Sequence, residues 1–233
     1  GEAPVAQMLD DLRDGQNPTL APYAKEGECY MRVTAKAHTA EEADTLCQPL
    51  IEEIKRRVGD FVYSVDTESL EELVVSELKA QGKTLATAES CTGGLLSKRL
   101  TDVSGASEVF HMGCVTYANQ AKEDLLSVAH ETLAQDGAVS EQTAREMAEG
   151  IVRRSGSSLG VGITGIAGPE GGTAEKPVGL IYIALSDGER TWVPKRSPIG
   201  RTKRRERHRH CAASHALAMV RRYLEGPPVD ADH

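Results

Sequence analysis

Residues 159–185, LGVGITGIAGPEGGTAEKPVGLIYIAL, decide the fold of this chain. The stretch contains two apolar runs, 159–164 and 178–185, each of strand length and rich in the aliphatic and β-branched residues that strands favour. A loop of glycine, proline and charged residues separates them. No helical pattern lies between the second run and a further strand candidate at 191–195, and because parallel neighbours need a crossover connection, which is usually a helix, we expect a mixed sheet.

Strand and helix patterns alternate outward from this stretch. Five strands are predicted, at 84–88, 109–117, 159–164, 178–185 and 191–195. Helical patterns separate most of them, at 93–100, 120–126, 140–154 and 204–224. Alternation of this kind predicts a three-layer α/β/α sandwich with a mixed sheet of roughly five strands.

The first 65 residues carry a pattern of their own. A short helix is expected over 5–12, followed by loop residues, and 28–37 alternate as a half-buried strand does. Thr39 followed by Glu42 is typical of a helix capping box, and FVYSV at 61–65 favours another strand. We expect a small α/β domain with a βαβ-like core. The predicted domains are 1–65, 66–225 and a disordered tail, 226–233.

Composition excludes several classes of protein. The chain has 233 residues, of which 39% are hydrophobic and 27% charged, which is typical of globular domains. No apolar stretch approaches the ~18 residues of a membrane helix, and no export signal opens the sequence. The five cysteines form no C-x-x-C pair, so we expect a cytoplasmic protein without a zinc site. The net charge of −8 argues against nucleic-acid binding over the whole surface.

The segment TAESCTGG, residues 87–94, lies between a short strand and a helix. Main-chain N–H groups and the helix dipole favour anions at such a place, and a hydroxyl nucleophile needs such donors for its developing oxyanion. Ser90 is therefore a candidate nucleophile, and Cys91 is its rival. The alternative is that Glu89, Ser90 and Thr92 serve only as capping and turn residues.

The segment GCVTYANQAK, residues 113–122, runs from a buried strand into a polar corner. A lysine just past a strand end can point back into a cleft, where desolvation lowers its pKa and makes a neutral amine available as a base. Lys122 is the candidate, although a solvent-exposed helical lysine would have the same spacing.

The glycine-rich segment 160–179 formally contains G-x-G-x-x-G. Its glycines lie within the strand and Pro169 follows where a helix should begin, so a dinucleotide site is not expected. The loop could still bind phosphate or an oxyanion through main-chain N–H groups, or it could be a plain flexible loop. The basic run 195–209 could contact phosphates or form a solvated face, and His208, His210 and His215 are assigned to the helix surface.

Taken together, these segments resemble the CinA family, specifically its C-terminal nicotinamide-nucleotide amidohydrolase domain. The similarity covers 70–224 and is carried by four strings in order, ATAESCTGGLL, GCVTYANQAK, GAVSEQTAREMAEG and VGITGIAGPEGGTAEKPVG. Less sharply, TLAPYAKEGECYMRVTAKA resembles the small KH-type domain that precedes it in longer members. Those members also have a molybdopterin-binding-type domain that is associated with ADP-ribose pyrophosphatase activity. We expect both the domain and the activity to be absent here.

The resemblance implies a Ser/Lys hydrolase that uses no metal and no cofactor. Ser90 would be the nucleophile and Lys122 its base, with Tyr117 assisting and Thr164 orienting the site. The implied substrate-binding residues are Thr92, Gly93, Gly94, Asn119, Gly165, Gly168 and Arg205. Arg205 is the best match to the arginine of the family's G-D-R motif, which reads Lys203-Arg204-Arg205 here, so phosphate recognition departs from the family pattern.

The implied function is hydrolysis of nicotinamide mononucleotide (NMN) to nicotinic acid mononucleotide and ammonia. The expected partners are this small-molecule nucleotide and, because family members are often oligomeric, a second copy in a dimer; a membrane is not expected. The alternative is a non-catalytic protein of competence or DNA-damage responses that binds a partner protein or nucleic acid. A third possibility is a catalytically silent domain, against which the presence of Ser90 and Lys122 argues.

Overall fold

The computed structural model describes residues 2–25, 28–66, 69–194, 204–226 and 228–229. The chain divides into two compact units, Gly1–Asp66 and Thr67–His233. Each unit has an apolar core of its own.

The smaller unit combines two helices with a two-stranded antiparallel sheet. Its elements are α1 (Glu2–Met8), a 3-10 turn (Asp10–Leu12), β1 (Thr19–Lys25), β2 (Glu28–Thr34), α2 (Ala40–Val58) and a second 3-10 turn (Gly59–Phe61). Leu9, Leu20, Ile54 and Val58 form its core. The expected capping box is present in part, since the Thr39 hydroxyl accepts from the Glu42 amide at 3.2 Å.

Two sequence predictions for this unit are wrong. Residues 61–65 do not form a strand, because Phe61 ends a 3-10 turn and no regular structure follows it up to Asp66. The residues that pair with β2 are those of β1, which the presence of Pro22 marked as a loop. Proline is tolerated there because each strand of a two-stranded sheet has a free edge, where a missing N–H breaks no ladder.

The larger unit is a three-layer α/β/α sandwich built on a mixed five-stranded sheet. Its elements are α3 (Leu70–Ala80), β3 (Leu85–Glu89), α4 (Leu95–Thr101), β4 (Phe110–Val115), α5 (Asn119–Leu126), α6 (His130–Gln135), α7 (Glu141–Ser155), β5 (Leu159–Gly165), β6 (Ile181–Ser186), β7 (Thr191–Trp192) and α8 (Arg205–Glu225). The strand order is β4-β3-β5-β6-β7. Strand β3 is parallel to β4 and β5. Strand β6 is antiparallel to β5, and β7 is antiparallel to β6, so the sheet is mixed and the predicted fold class is confirmed.

Small side chains let the helices approach the sheet closely. Ala86 and Ala88 of β3 pack with Met147 and Ile151 of α7, which places α5, α6 and α7 on one face. A Cβ atom added at Gly162 of β5 would lie 2.4 Å from the Ala144 carbonyl oxygen of α7. Helices α3, α4 and α8 pack together on the other face. Gly160 and Gly162 of β5 therefore serve the packing of α7 on the sheet.

The ends of the larger unit differ from the predictions in detail. Only Thr191 and Trp192 of the predicted last strand are extended, and Lys195 lies outside the described residues. Helix α6 was not predicted. Of the expected disordered tail, Val229 is buried, whereas 227 and 230–233 lie outside the described residues. No described helix is both long enough and apolar enough to cross a lipid bilayer.

Candidate active site

Three neighbouring parallel strands end side by side and bring three hydroxyl residues into one row. The Ser90 amide donates to the Ile163 carbonyl at 2.9 Å, so Ser90 lies opposite Thr164, the next residue of β5. The Thr116 amide donates to the Glu89 carbonyl at 2.9 Å, so Thr116 lies opposite Ser90 at the end of β4. The row is therefore Thr116, Ser90, Thr164.

All three side chains of this row lie on the α5–α7 face of the sheet. Ala88 and Cys114 pack into the core on that face, and strand side chains alternate, so Ser90 and Thr116, two residues further on, point the same way. The glycine two residues before Thr164 abuts α7, which gives Thr164 the same direction. The row thus faces the helix that carries Lys122.

Lys122 lies fully buried in the first turn of α5, with its amine against the row. Its Nζ is 3.2 Å from Ser90 Oγ, 2.8 Å from the Thr116 carbonyl and 3.2 Å from the Tyr117 carbonyl. Burial lowers the pKa of Lys122 below its ordinary value of 10.5. A neutral amine has two N–H bonds and one lone pair. In this neutral form, with two carbonyls taking the N–H bonds, the lone pair is left for the Ser90 hydroxyl.

The turn after Ser90 offers main-chain donors. The amides of Cys91, Thr92 and Gly94 donate to no main-chain carbonyl among the described residues. Gly93 and Gly94 have φ of +60° and +89°, left-handed values that L residues rarely adopt. N–H groups at the start of a helix, close behind a nucleophile, can stabilise an oxyanion.

The Glu89 side chain holds the turn at residues 90–94 in place. Its buried carboxylate accepts hydrogen bonds from the Leu96 amide at 3.1 Å and from the Ser97 amide at 2.8 Å. A carboxylate at this place satisfies amides that the first turn of α4 leaves unpaired. Glu89 thereby connects the end of β3 to the beginning of α4, and Ser90 lies between the two.

Cys91 does not compete with Ser90 as a nucleophile in this geometry. The side chain is buried, and desolvation raises the pKa of its thiol to about 12. Since the thiolate is the reactive form of cysteine, the thiol at this position is inert near neutral pH.

The glycine-rich loop that follows β5 is held against the segment before α7. Lys176 Nζ donates to the carbonyls of Asp136 at 2.6 Å and Val139 at 2.8 Å. The Thr164 hydroxyl donates to the Ala138 carbonyl between them. Thr164 is thus beside Ser90, but its hydroxyl is hydrogen-bonded to this segment and not to Ser90 or Lys122, the Ser/Lys dyad.

Arg205, the first residue of α8, connects the glycine-rich loop to the corner between β4 and α5. Its Nη2 lies 2.9 Å from the Tyr117 hydroxyl and its Nη1 lies 3.0 Å from the Gly168 carbonyl. Both partners are uncharged, and the guanidinium is exposed. The Tyr117 side chain is also exposed, and its hydroxyl bonds to Arg205 and not to Ser90 or Lys122. Tyr117 contacts the dyad through its main-chain carbonyl.

The other predicted substrate-binding residues differ in burial and in position. Thr92 is fully buried, and its hydroxyl has no hydrogen-bond partner among the described residues. Asn119 begins α5 with an exposed side chain, and Gly165 ends β5. Residues 195–203 of the basic run lie outside the described residues.

Sequence reasoning missed three residues at this site. Arg209 Nε and Nη2 donate to the Thr92 carbonyl at 3.1 and 2.7 Å, and Arg209 lies one helical turn after Arg205, a spacing that could have revealed it. Thr116 was hidden because strand registers cannot be read from one sequence. His208 was predicted on the helix surface, which is wrong, since it is buried and its Nδ1 donates to the Ala167 carbonyl at 2.8 Å. The described part of the chain contains no group of three or more metal-ligating side chains.

Comparison with known proteins gives consistent matches over both units. The model of the CinA C-terminal domain matches residues 67–224, and that of the damage-inducible protein CinA KH domain matches 1–64. A CinA-like protein of Desulfovibrio desulfuricans is 53% identical over 99% of this chain and 54% of its own length. One from Kosmotoga olearia is 47% identical over 96% of this chain and 54% of its length. The chain therefore spans about half the length of the curated relatives it matches.

Solved structures resemble part of the chain. A competence/damage inducible protein from Agrobacterium tumefaciens is 41% identical, with a TM-score of 0.63, and the match covers 70% of this chain and 99% of that one. A CinA superfamily protein from Klebsiella pneumoniae is 34% identical, with a TM-score of 0.64, over 67% of this chain and 96% of that one. The family models and these relatives show that the chain belongs to the CinA family.

Proposed function

We propose that this chain hydrolyses the carboxamide of NMN to nicotinic acid mononucleotide and ammonia. The observation that carries the proposal is the buried Lys122 amine 3.2 Å from Ser90 Oγ, with two main-chain carbonyls taking its N–H bonds. This geometry supports a serine nucleophile with a lysine base. The choice of NMN follows from the family resemblance, because the names of the relatives state no reaction.

The first half of the reaction forms an acyl-enzyme. The lone pair of Lys122 takes the Ser90 proton as Ser90 Oγ bonds to the carboxamide carbon. The carbonyl oxygen becomes an oxyanion, for which the amides of Cys91, Thr92 and Gly94 are the available donors. The ammonium of Lys122 then gives its proton to the amide nitrogen, the C–N bond breaks, and ammonia leaves.

The second half of the reaction releases the acid. A water molecule gives a proton to Lys122 while its oxygen bonds to the acyl carbon. The ester bond to Ser90 breaks as the oxyanion collapses, and Ser90 Oγ recovers a proton from Lys122. The same amine thus serves both halves, and it is neutral at the start of each.

The nucleotide phosphate has a candidate binding group in Arg205. Its guanidinium is exposed at the edge of the site and both of its partners are uncharged, so its charge is available to an anion. Because Gly168 and Tyr117 flank it, the glycine-rich loop and the β4–α5 corner would both border the ribose phosphate.

The test is ammonia release from NMN by the wild-type chain and by Ser90→Ala, each with and without a chelator. We expect release that the chelator leaves unchanged and that the substitution reduces to background, with an unaltered circular dichroism spectrum. Absence of ammonia from folded wild-type protein would reject the activity. Wild-type rates in Ser90→Ala would reject the nucleophile.

A further inference from the structure

We propose that Thr116 binds the water molecule that hydrolyses the acyl-enzyme. The inference rests on the proposed amidohydrolase function and adds a residue that neither the sequence nor the resemblance assigned to the site. Its starting point is that the Thr116 side chain is fully buried and that its hydroxyl forms no hydrogen bond with any described protein group. Buried hydroxyl groups nearly always have a partner, so such a group requires an explanation.

The position of Thr116 explains what the hydroxyl can bind. Thr116 lies next to Ser90 in the row, on the same face of the sheet, at roughly the 4.8 Å spacing of neighbouring strands. Its own carbonyl accepts from Lys122 Nζ at 2.8 Å. The hydroxyl therefore belongs to the residue that is next to both the nucleophile and the base.

The hydrolytic water needs these neighbours. To lose its proton to Lys122 and attack the carbon held on Ser90, the water must lie within hydrogen-bond distance of Nζ and close to Oγ. A buried water molecule also needs other polar partners, typically about three in all. The Thr116 hydroxyl can either donate to the water or accept from it, and it competes with no other bond.

The other hydroxyl of the row is less suitable. Thr164 lies on the β5 side of Ser90, and its hydroxyl already donates to the Ala138 carbonyl. Thr116 is on the β4 side, from which Lys122 approaches. The two threonines that flank Ser90 therefore have different roles.

The experiment compares the two half-reactions in Thr116→Val, which keeps the shape and the main-chain carbonyl but removes the hydroxyl. With NMN we expect a first turnover of ammonia at the wild-type rate, about one per active site, followed by a steady state slowed tenfold or more. The acyl group should accumulate on Ser90, where intact-mass measurement detects it. Hydroxylamine, which attacks the ester without a positioned water, should restore turnover and give the hydroxamate.

Two variants serve as controls. Thr116→Ser retains a hydroxyl and should restore hydrolysis to within a few-fold of wild type. Ser157→Ala removes another buried hydroxyl that has no partner in the described part of the chain. Ser157 lies before the start of β5, at the opposite end of the strand from the site, so the substitution should not alter either half-reaction.

The outcomes separate the two proposals. If the first turnover of ammonia in Thr116→Val slows as much as its steady state, or if its steady state matches wild type, Thr116 does not position the hydrolytic water and the inference is overturned. If the wild type releases no ammonia from NMN, the proposed function fails, and the water role fails with it because no acyl-enzyme forms.

Discussion

The two sides of Ser90 differ in their access to solvent. On the β4–α5 side, Lys122 and Thr116 are fully buried, and the lysine contacts main-chain carbonyls. On the α8 side, Arg205 is exposed and contacts the exposed Tyr117 side chain. Desolvation lowers the pKa of a lysine and so prepares it to accept a proton, whereas an arginine that receives an anion must be reachable from water. The comparison predicts that the buried side controls kcat and the exposed side controls KM.

The largest effect is expected for Lys122→Met, which removes the base from the buried side. General-base catalysis contributes roughly 10²- to 10⁴-fold, so kcat for NMN deamidation should fall by about that factor. The matched control is Lys98→Met, because the Lys98 side chain is 67% exposed. Steady-state kinetics of the two variants measure the difference.

The pH profile tests the same residue in the wild type. Only neutral Lys122 accepts a proton, and burial places its pKa below 10.5. Activity should therefore rise with pH and level off above an apparent pKa lower than that value. A profile that falls as pH rises through this range would mean that the protonated amine is the active form.

A smaller effect is expected for Arg205→Ala on the exposed side. Loss of a hydrogen bond to a charged group costs about 1.5–3 kcal/mol, so KM for NMN should rise roughly 10- to 100-fold with little change in kcat. The control is Arg207→Ala, an exposed arginine of the same helix. The corresponding nucleoside, which lacks the phosphate, should be processed equally by wild type and Arg205→Ala. A fall in kcat without a rise in KM would contradict the division between the two sides.

The smallest effect is expected for Tyr117→Phe. Among the described residues the phenol oxygen has one hydrogen-bond partner, Arg205, whose Nη2 donates to it at 2.9 Å. The group that contacts Lys122 is the main-chain carbonyl, which the substitution retains. We predict a KM change of a few-fold and an unchanged kcat. A hundredfold loss of kcat would instead mean that the phenol assists Ser90 and Lys122, as the family resemblance implies.

The sequence predicted the fold of the larger unit because its strands are buried and its turns are marked by glycine. Residues 159–185 indicated both β5 and β6, and the lack of a helical pattern before the last strand indicated the mixed sheet. The smaller unit was predicted less well, because a sheet of two strands gives a weak apolar pattern and Pro22 obscured β1. The pattern of FVYSV suits a strand, but Phe61 ends a 3-10 turn directly after α2.

The site was predictable where chemistry is local to a motif. Ser90 and Lys122 each follow a strand, which made both of them candidates, and the family resemblance implied that they act as a pair. Thr116 and Arg209 act through strand register and through the approach of α8, which no local pattern encodes. The assisting role of Tyr117 stays a prediction, and the structure shows its hydroxyl bonded to Arg205.

Two of the three groups that hold the Lys122 amine are main-chain carbonyls, those of residues 116 and 117. Every amino acid has such a carbonyl, so no point mutation at these two positions deletes either acceptor. The direction of the lone pair is consequently inherited through the path of the backbone at the end of β4. In the course of evolution both side chains could be replaced, and the binding of water or substrate could change with them, while the orientation of the Lys122 amine stayed the same.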